Sequence, residues 1–389
     1  MSALAFMKRH YDEMAAFRQD LHAHPEIGMQ EYRTSDLVAR KLGEWGIEVH
    51  RGIGGTGVVG VLRAGNGAGS IGLRADMDAL PMHEASQLSY RSTTPGVMHA
   101  CGHDGHTTML LGAARYLAET RHFDGTVNFI FQPGEEGAGG ALAMLADGLL
   151  ERFPSDALFG MHNRPGLPVG AFSIAPGLAM AGGAFFDVVI TGKGAHGARP
   201  EDSIDPVLVA GQLISALQSI VSRNVPPADV AVVSVTKMSG GDAYNVIPHS
   251  VTIGGTVRCF KSSIMEQIKT LIARTADGIA AAFGARAELD FRLIFAPTVN
   301  DLRHAQDYAD AAAELVGETH VDRDAQPVMG SEDFGFMLEK VPGAYILAGG
   351  GDGAAPHHPL YDYNDETTPY GAALYARIVE RGLPRRNTP

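Results

Sequence analysis

The sequence contains few cysteines and few basic residues. Two cysteines, Cys101 and Cys259, among 389 residues are too few for the disulfide framework of a small secreted protein. Because Cys101 stands among metal-ligand residue types and Cys259 in a strand-like run, we expect both thiols to be reduced. Lysine and arginine number 31 against 44 aspartates and glutamates, a formal net charge of −13. Phosphate groups bind basic surface, so this balance argues against nucleic acid and anionic membranes as partners.

Long apolar runs are absent as well. No stretch is apolar over the length needed to cross a bilayer, which argues against a membrane-spanning helix. Near the N-terminus, Lys8, Arg9, Asp12 and Glu13 stand where a secretory signal needs an apolar core. We therefore expect a cytoplasmic protein that acts on a small molecule.

The composition that remains is globular, with 45% hydrophobic and 19% charged residues over a length that suits two domains. Helical and strand patterns, beginning with a helix predicted at residues 6–22, alternate up to about residue 151 and return after residue 297. This alternation predicts a large α/β domain whose sheet is covered by helices, and ligands of such sheets collect beyond the strand ends. We assign residues 1–183 and 298–389 to this domain.

A different pattern occupies the stretch between these two parts. Strands are predicted at 185–190, 230–238, 250–260 and 286–294, and helices at 205–223 and 262–283. Their order along the chain is βαββαβ, which is a complete ferredoxin-like unit. Residues 184–297 are therefore predicted to form a satellite domain inserted into the larger one.

Possible metal ligands are concentrated in residues 98–106. Cys101 and His103 precede a predicted helix at 106–120, and the positive end of its dipole would favour a thiolate. Thiolate together with imidazole suits zinc or a similar divalent ion. Taken alone, this spacing is a weak pattern, and an inert buried cysteine beside surface histidines explains it more simply.

Three further segments carry ligand types. Glu135 and Glu136 follow an apolar strand at 126–131, His162 ends another strand-like run, and His357 and His358 occur together late in the chain. Each set alone could be a solvated loop or an ordinary core or surface histidine. Four such sets in one chain together predict a metal site at the strand ends.

Eight segments, in order along nearly the whole chain, resemble the M20 metallopeptidase family. The resemblance is to its aminoacylase-like branch of amidohydrolases, which includes hippurate hydrolases and auxin-conjugate hydrolases. The joint occurrence of these segments is highly specific. They are residues 21–26, 74–81, 99–106, 132–137, 194–196, 245–248, 255–258 and 329–334.

The resemblance implies a catalytic α/β domain of the zinc-peptidase type that holds two divalent ions per subunit, either zinc, manganese, cobalt or nickel. The matching ligand positions are Cys101, His103, Glu136, His162 and His357. Cys101 would bridge the ions, and His358 is the alternative to His357. Other branches carry a His-x-Asp where this chain has Asp76 and Asp78, so these aspartates are expected to support the ligands from behind.

The resemblance also implies roles around the ions. Glu135 matches the general base of the family. His196 matches a satellite-domain histidine that stabilises the oxyanion, commonly from the partner subunit, although its type and place also suit a surface loop. Asn245 and Arg258 stand where relatives bind the substrate carboxylate, while an arginine alternating in a strand also suits a solvated face.

The implied function is metal-dependent hydrolysis of the amide bond of an N-acyl amino acid, with an acetyl, benzoyl or similar acyl group, which releases a carboxylic acid and a free amino acid. A dipeptidase or aminopeptidase of the same family, and a non-catalytic metal-dependent binding protein, are the alternatives. Relatives commonly dimerise through the satellite domain, so we expect a homodimer, with a tetramer as the alternative.

Overall fold

The computed structural model describes residues 1–385; residues 386–389, at the end of the expected larger domain, lie outside the described part. The chain forms two compact units. The first contains Met1–Ala179, Val299–Pro327 and the chain from Asp333 onward, and the second contains Met180–Thr298 and Val328–Glu332. The predicted α/β class is confirmed.

The helices of the described residues are α1 Ala3–Arg9, α2 Tyr11–Ala23, α3 Tyr32–Glu44, α4 His103–Thr120, α5 Gly140–Ala146, α6 Leu149–Arg152, α7 Pro206–Asn224, α8 Ser262–Ala282, α9 Leu302–Val316, α10 Gly335–Leu338 and α11 Thr368–Gly382. The strands are β1 Glu48–Ile53, β2 Gly57–Ala64, β3 Ser70–Asp76, β4 Gly125–Gln132, β5 Ala157–Arg164, β6 Phe172–Ser173, β7 Leu178–Met180, β8 Gly182–Thr191, β9 Ala195–His196, β10 Ala231–Ser239, β11 Val246–Ile247, β12 Ser250–Cys259, β13 Arg286–Phe295, β14 Thr298–Val299, β15 Val321–Asp322 and β16 Gly343–Gly349.

The first unit is built on an eight-stranded sheet in the order β1-β2-β4-β3-β5-β16-β6-β15. β3 pairs in parallel with β4 and β5, and β5 pairs in parallel with β16. β3 and β4 are buried over almost their whole length, as apolar strands in the middle of a parallel arrangement are. The carboxyl ends of these four strands therefore lie at the same edge of the sheet.

Helix α4 fixes the start of one of the loops at this edge. It is buried on nearly all sides and packs against β3, α2 and α11. Its leucines Leu110 and Leu117 are fully buried, and each contributes about 1.5–3 kcal/mol of apolar burial. A helix held this firmly in the core gives its first residue, His103, a defined position.

The second unit is a four-stranded antiparallel sheet in the order β10-β12-β8-β13 with the helices α7 and α8 packed on it. Along β8, Phe186, Val188 and Ile190 are buried, while Phe185 and Val189 are exposed, so one face meets the helices and the other stays open. A short ladder pairs β9 with β11 beyond one end of this sheet.

Two local predictions were wrong. The helical pattern predicted for residues 6–22 is interrupted at His10, which ends α1 before α2 begins. The helix predicted from residue 106 begins at His103, so this possible ligand belongs to the first turn of α4. Among residues 1–385, none of the helices combines the length and apolar character needed to cross a bilayer.

Candidate metal centre

The carboxyl edge of the large sheet brings the predicted ligands together. Cys101 and His103 stand at the start of α4, Glu136 follows β4, His162 is near the end of β5, and His357 follows β16. Two groups of side chains, each with its ligand atoms within 4.8 Å of one another, share the Cys101 sulfur. They are Cys101 with His103 and His162, and Cys101 with Glu136 and His357. The Cys101 Sγ is 3.3 Å from His162 Nε2, and His357 Nε2 is 3.0 Å from Glu136 Oε1.

The donor atoms suit a divalent ion. His103 Nε2 is buried and has no hydrogen-bond partner among the described residues, which is unusual for a polar atom in a protein interior. A bound cation in the Cys101, His103 and His162 group would give this nitrogen a partner. Thiolate, imidazole and carboxylate are the ligands that zinc and similar divalent ions take.

Asp78 holds two of these possible ligands in place. Its Oδ1 lies 3.0 Å from His103 Nδ1, and its Oδ2 accepts a hydrogen bond from the backbone N–H of Glu136 at 2.9 Å. With Nδ1 engaged, Nε2 is the nitrogen of His103 left for a metal ion. Asp78 therefore sets both the orientation of the ring and the path of the Glu136 loop.

Asp76 supports the site from behind the possible ligands. Its carboxylate is 2.6 Å from His106 Nδ1 and accepts a hydrogen bond from Arg74 at 2.7 Å. Burial opposes the ionised form, but His103, His106 and Arg74 together hold the pKa of Asp76 well below its usual range. Asp76 thus remains a buried anion beneath the metal-ligand cluster.

His357 is held in an uncommon backbone conformation. Its φ of 63° lies in the left-handed region, which residues other than glycine adopt only when their surroundings require it. Its backbone N–H donates to the carbonyl of Ala100 at 2.7 Å, which ties this loop to the Cys101 segment. His358 points elsewhere, since its Nδ1 accepts a hydrogen bond from Leu360 N at 3.1 Å. The structure thus brings His357, and not His358, to Cys101.

The protonation of these groups responds to their neighbours. Hydrogen bonds to Cys101 and Glu136 raise the pKa of His357 to about 10. Burial lowers the pKa of His162 to about 3, which favours the neutral imidazole that a metal ion requires. Burial raises the pKa of the Cys101 thiol, and a bound cation is what would favour the thiolate.

Glu135 stands beside this cluster on a fixed turn. Its side chain is buried, with Oε2 4.0 Å from His103 Nε2. The turn before it is held by Glu31, whose carboxylate accepts hydrogen bonds from Gly134 N at 2.8 Å and Met29 N at 3.0 Å. Gly134 has a φ of 58° and packs closely on Met29, so a larger residue would move the turn that carries Glu135.

Two buried groups lie behind the site, and one of them, His106, was absent from the predicted set. His106 lies between Asp76 and Asn163, 2.8 Å from the Asn163 Oδ1, and Asn163 immediately follows His162. Asp333 accepts hydrogen bonds from Arg74 and Gln132 and from Ala141 N. The segments 99–106, 132–137 and 329–334 contain these residues, but their pairing depends on contacts between distant parts of the chain.

The second unit carries the other three predicted residues at two separate places. His196 in β9 is exposed and pairs with Val246 of β11, and the carbonyl of Asn245 accepts a hydrogen bond from Gly197 N at 2.7 Å. Arg258 lies near the other end of β12, opposite Gly183. Ser250, at the end of β12 that follows β11, and Arg258 are eight positions apart along this extended strand, which is roughly 26 Å at about 3.3 Å per residue. The structure therefore joins His196 with Asn245 but does not join either with Arg258.

Stability should fall as the pH rises past neutrality because of His22. Burial opposes its charge, but the Asp104 and Glu84 carboxylates raise its pKa to about 9 from the ordinary 6.5. Its contribution, on the order of a few kcal/mol, is fully present below pH 6.5 and lost as the pH rises through about 9. Urea unfolding at intervals from pH 6 to pH 10 measures this loss. A His22→Leu variant should show a flatter profile, and an equally steep one would contradict the assignment.

Comparisons with known proteins agree with this arrangement. Residues 72–381 match the peptidase family M20/M25/M40. The chain is 43% identical to the hippurate hydrolase of Campylobacter jejuni, and the match covers 95% of this chain and 97% of that protein. It is 39% identical to an N-acetylcysteine deacetylase of Bacillus subtilis, and that match covers 96% of this chain and 97% of the relative. A crystal structure of a dinuclear metal-binding M20 peptidase from Bacillus subtilis superposes with a TM-score of 0.84 at 36% identity, covering 97% of this chain and 99% of that one. The chain therefore belongs to peptidase family M20/M25/M40.

Proposed function

We propose that this protein hydrolyses the amide bond of N-acyl amino acids and releases a carboxylic acid and a free amino acid. The observation that carries the proposal is the convergence of five metal-ligand side chains beside the buried carboxylate of Glu135. Cys101, His103 and His162 would hold one divalent ion, and Cys101, Glu136 and His357 the other. Bound there, the ions would polarise the amide carbonyl and lower the pKa of water. Zinc, manganese, cobalt and nickel all suit these ligands.

The residues of the chain itself would move the proton. Glu135 takes a proton from the attacking water and delivers it to the nitrogen of the leaving amine. Its place on the turn held by Glu31 keeps the carboxylate directed at the cluster while Glu136, its neighbour, serves as a ligand. Through its two carboxylate oxygens, Asp78 holds the His103 ring and the Glu136 loop in place during this transfer.

Arg258 is our candidate for binding the substrate carboxylate. Among the described residues no carboxylate lies within salt-bridge distance of it, and its guanidinium donates to Thr256 and lies 5.8 Å from the Phe185 ring. Gly183 makes room for it, since a Cβ there would lie 3.0 Å from the Arg258 Nη1. A fixed cation without a carboxylate partner in its own chain among the described residues suits an anionic ligand.

Replacing Arg258 by glutamine should raise KM about ten- to hundredfold with a smaller change in kcat, because a charge-assisted hydrogen bond to the substrate is lost. Steady-state kinetics on an N-acyl amino acid measures both constants. Arg292→Gln is the matched control, since Arg292 lies on β13 of the same sheet and is already paired with Asp187. An unchanged KM in Arg258→Gln would remove this residue from the substrate site.

We also propose that the working form is a homodimer in which His196 stabilises the oxyanion in the active site of the partner protomer, with Asn245 beside it. His196 and Asn245 lie at one end of the satellite sheet, and Arg258 lies at the other. One copy of this rigid unit cannot place both ends on a single small substrate, so a second copy would supply one of them.

Mixing two inactive variants tests this arrangement. His196→Ala and Glu135→Gln protomers, combined in equal amounts and allowed to exchange, should regain roughly a quarter of wild-type activity, because half of the dimers are mixed and each has one intact site. Each variant incubated with itself is the control. Failure to regain activity, with exchange verified by a mass tag, would show that His196 acts within its own chain.

The substrate class is tested with a panel of hippurate, N-acetyl amino acids and dipeptides, assayed for amine release with each of the four metals. Cleavage of the acyl amino acids supports the proposal, and cleavage of dipeptides alone would overturn it. Tight binding of an acyl amino acid without release of amine would instead favour a binding protein.

A further inference from the structure

Helix α2 carries a buried ionic cluster that the proposed mechanism does not use. Arg18 and His22, one turn apart on this helix, have no exposed surface. The Arg18 guanidinium makes two hydrogen bonds to the Asp365 carboxylate, at 2.7 and 2.8 Å, and its Nη1 lies 3.4 Å from Asp362 Oδ1. A bidentate pair of this kind fixes both partners in orientation as well as in distance.

The same cluster reaches the start of α4. His22 Nδ1 is 2.8 Å from Asp104 Oδ2, and the Arg18 Nη1 is 3.6 Å from the same oxygen. Asp104 has no exposed surface and directly follows the metal-ligand candidate His103. Its backbone carbonyl accepts the Thr108 hydroxyl at 2.7 Å, so the residue is held from both sides.

Arg18 is therefore bonded to two segments that carry ligands and that are far apart in sequence. Asp104 belongs to the segment of Cys101 and His103, while Asp362 and Asp365 belong to the segment that follows His357. Tyr90 supports the pairing of Arg18 with Asp362, because its hydroxyl donates to Asp362 at 2.9 Å and its ring lies 4.6 Å from the guanidinium. Arg18 and Asp104 are buried, while Asp362 and Asp365 are partly exposed. Moving either aspartate segment would therefore leave the buried Arg18 charge less well paired.

We propose that Arg18 and His22, here called the α2 clamp, are positioning residues that set the distance between the Cys101 and His357 sides of the metal centre. This inference rests on the proposed metal-binding function. The clamp touches neither substrate nor metal; it acts through Asp104 on one side and through Asp362 and Asp365 on the other. Its loss weakens binding at the Cys101, Glu136 and His357 group first, because that group has ligands from both segments.

The experiment compares variants by metal content and not only by activity. Arg18→Lys keeps the charge but cannot form the bidentate pair, and His22→Leu removes the donor to Asp104. His22→Asn is the conservative partner, since its amide can donate where the ring Nδ1 did. Arg115→Lys is the matched control for Arg18, because Arg115 also joins two carboxylates, Glu13 and Glu119, but at the surface of α4.

Each metal-free protein is titrated with zinc to measure its affinity, and the zinc that remains bound after dialysis gives the stoichiometry. Thermal unfolding of the metal-free forms measures their stability. Arg18→Lys and His22→Leu should bind the second ion about ten- to a hundredfold more weakly, while His22→Asn and Arg115→Lys stay close to wild type. Lower unfolding temperatures with unchanged zinc affinity and two ions bound would overturn the proposal. If Arg18→Lys does not fold, the zinc affinities of His22→Leu and His22→Asn test the proposal by themselves. Wild type that binds two zinc ions but cleaves no acyl amino acid would refute the proposed function while leaving this comparison intact.

Discussion

Glu135→Gln should lower kcat about a thousandfold and leave metal content unchanged. Glutamine keeps the size and hydrogen-bonding capacity of the side chain but cannot accept the proton of the attacking water, and general bases contribute roughly a hundredfold to ten-thousandfold to such rates. Glu135 is absent from both groups that share Cys101, so neither ion should be lost with it. Steady-state kinetics on an N-acyl amino acid and metal analysis of the same sample provide the two measurements.

The adjacent carboxylate supplies the control for this prediction. Glu136→Gln removes a ligand of the Cys101 and His357 group, so it should lower metal content together with activity. The two neighbouring variants thus separate proton transfer from metal binding. Retention of more than about a tenth of wild-type kcat in Glu135→Gln would assign the base to another residue.

Cys101→Ala should lose most of its bound metal and, with it, all measurable turnover. Its sulfur is the one atom common to both ligand groups, so its removal weakens both. Replacing a residue that merely supports a ligand lowers metal affinity ten- to a hundredfold, and removing a shared ligand should exceed about a hundredfold. Dialysis against buffered zinc followed by metal analysis measures the change.

Two further variants test whether the loss of metal is specific to the Cys101 position. Cys101→Asp keeps an anionic ligand at the shared position and should keep part of the metal. Cys259→Ala removes the other cysteine, which is buried in the second unit, and should keep all of it. Equal metal content in wild type and Cys101→Ala would contradict the bridging role and, with it, the two-ion arrangement.

The strands and long helices of both units were predictable because their residue patterns are local. The satellite elements predicted at 205–223 and 262–283 are observed as Pro206–Asn224 and Ser262–Ala282, within a residue or two at each end. Apolar residues recur every three to four positions in these helices because one helix face packs on the sheet. The break at His10 was not predictable, because apolar residues on both sides of it continue the helical spacing.

The site was predictable in its residue types and less so in its supporting contacts. The family resemblance is confirmed by the match over residues 72–381, and the ligand candidates could be named from their segments. Their roles in binding metal stay predictions. The contacts of Asp78 with both His103 and Glu136, and of Arg18 with Asp104 and Asp365, depend on how distant segments pack. No spacing along the chain encodes such pairings.

The separation of the ligands along the chain also bears on how the protein is made. Glu136 and His357, which meet at 3.0 Å, are separated by 221 positions in sequence. At about 5–20 residues per second, a ribosome needs roughly 10 to 45 seconds to add the second after the first. During that interval Cys101 has emerged without the histidine that completes its group, and the inserted unit has time to fold. Uptake of the ion at the Cys101, Glu136 and His357 group would thus be a late event in biosynthesis, and a bound metal pair would mark a polypeptide whose synthesis has passed residue 357.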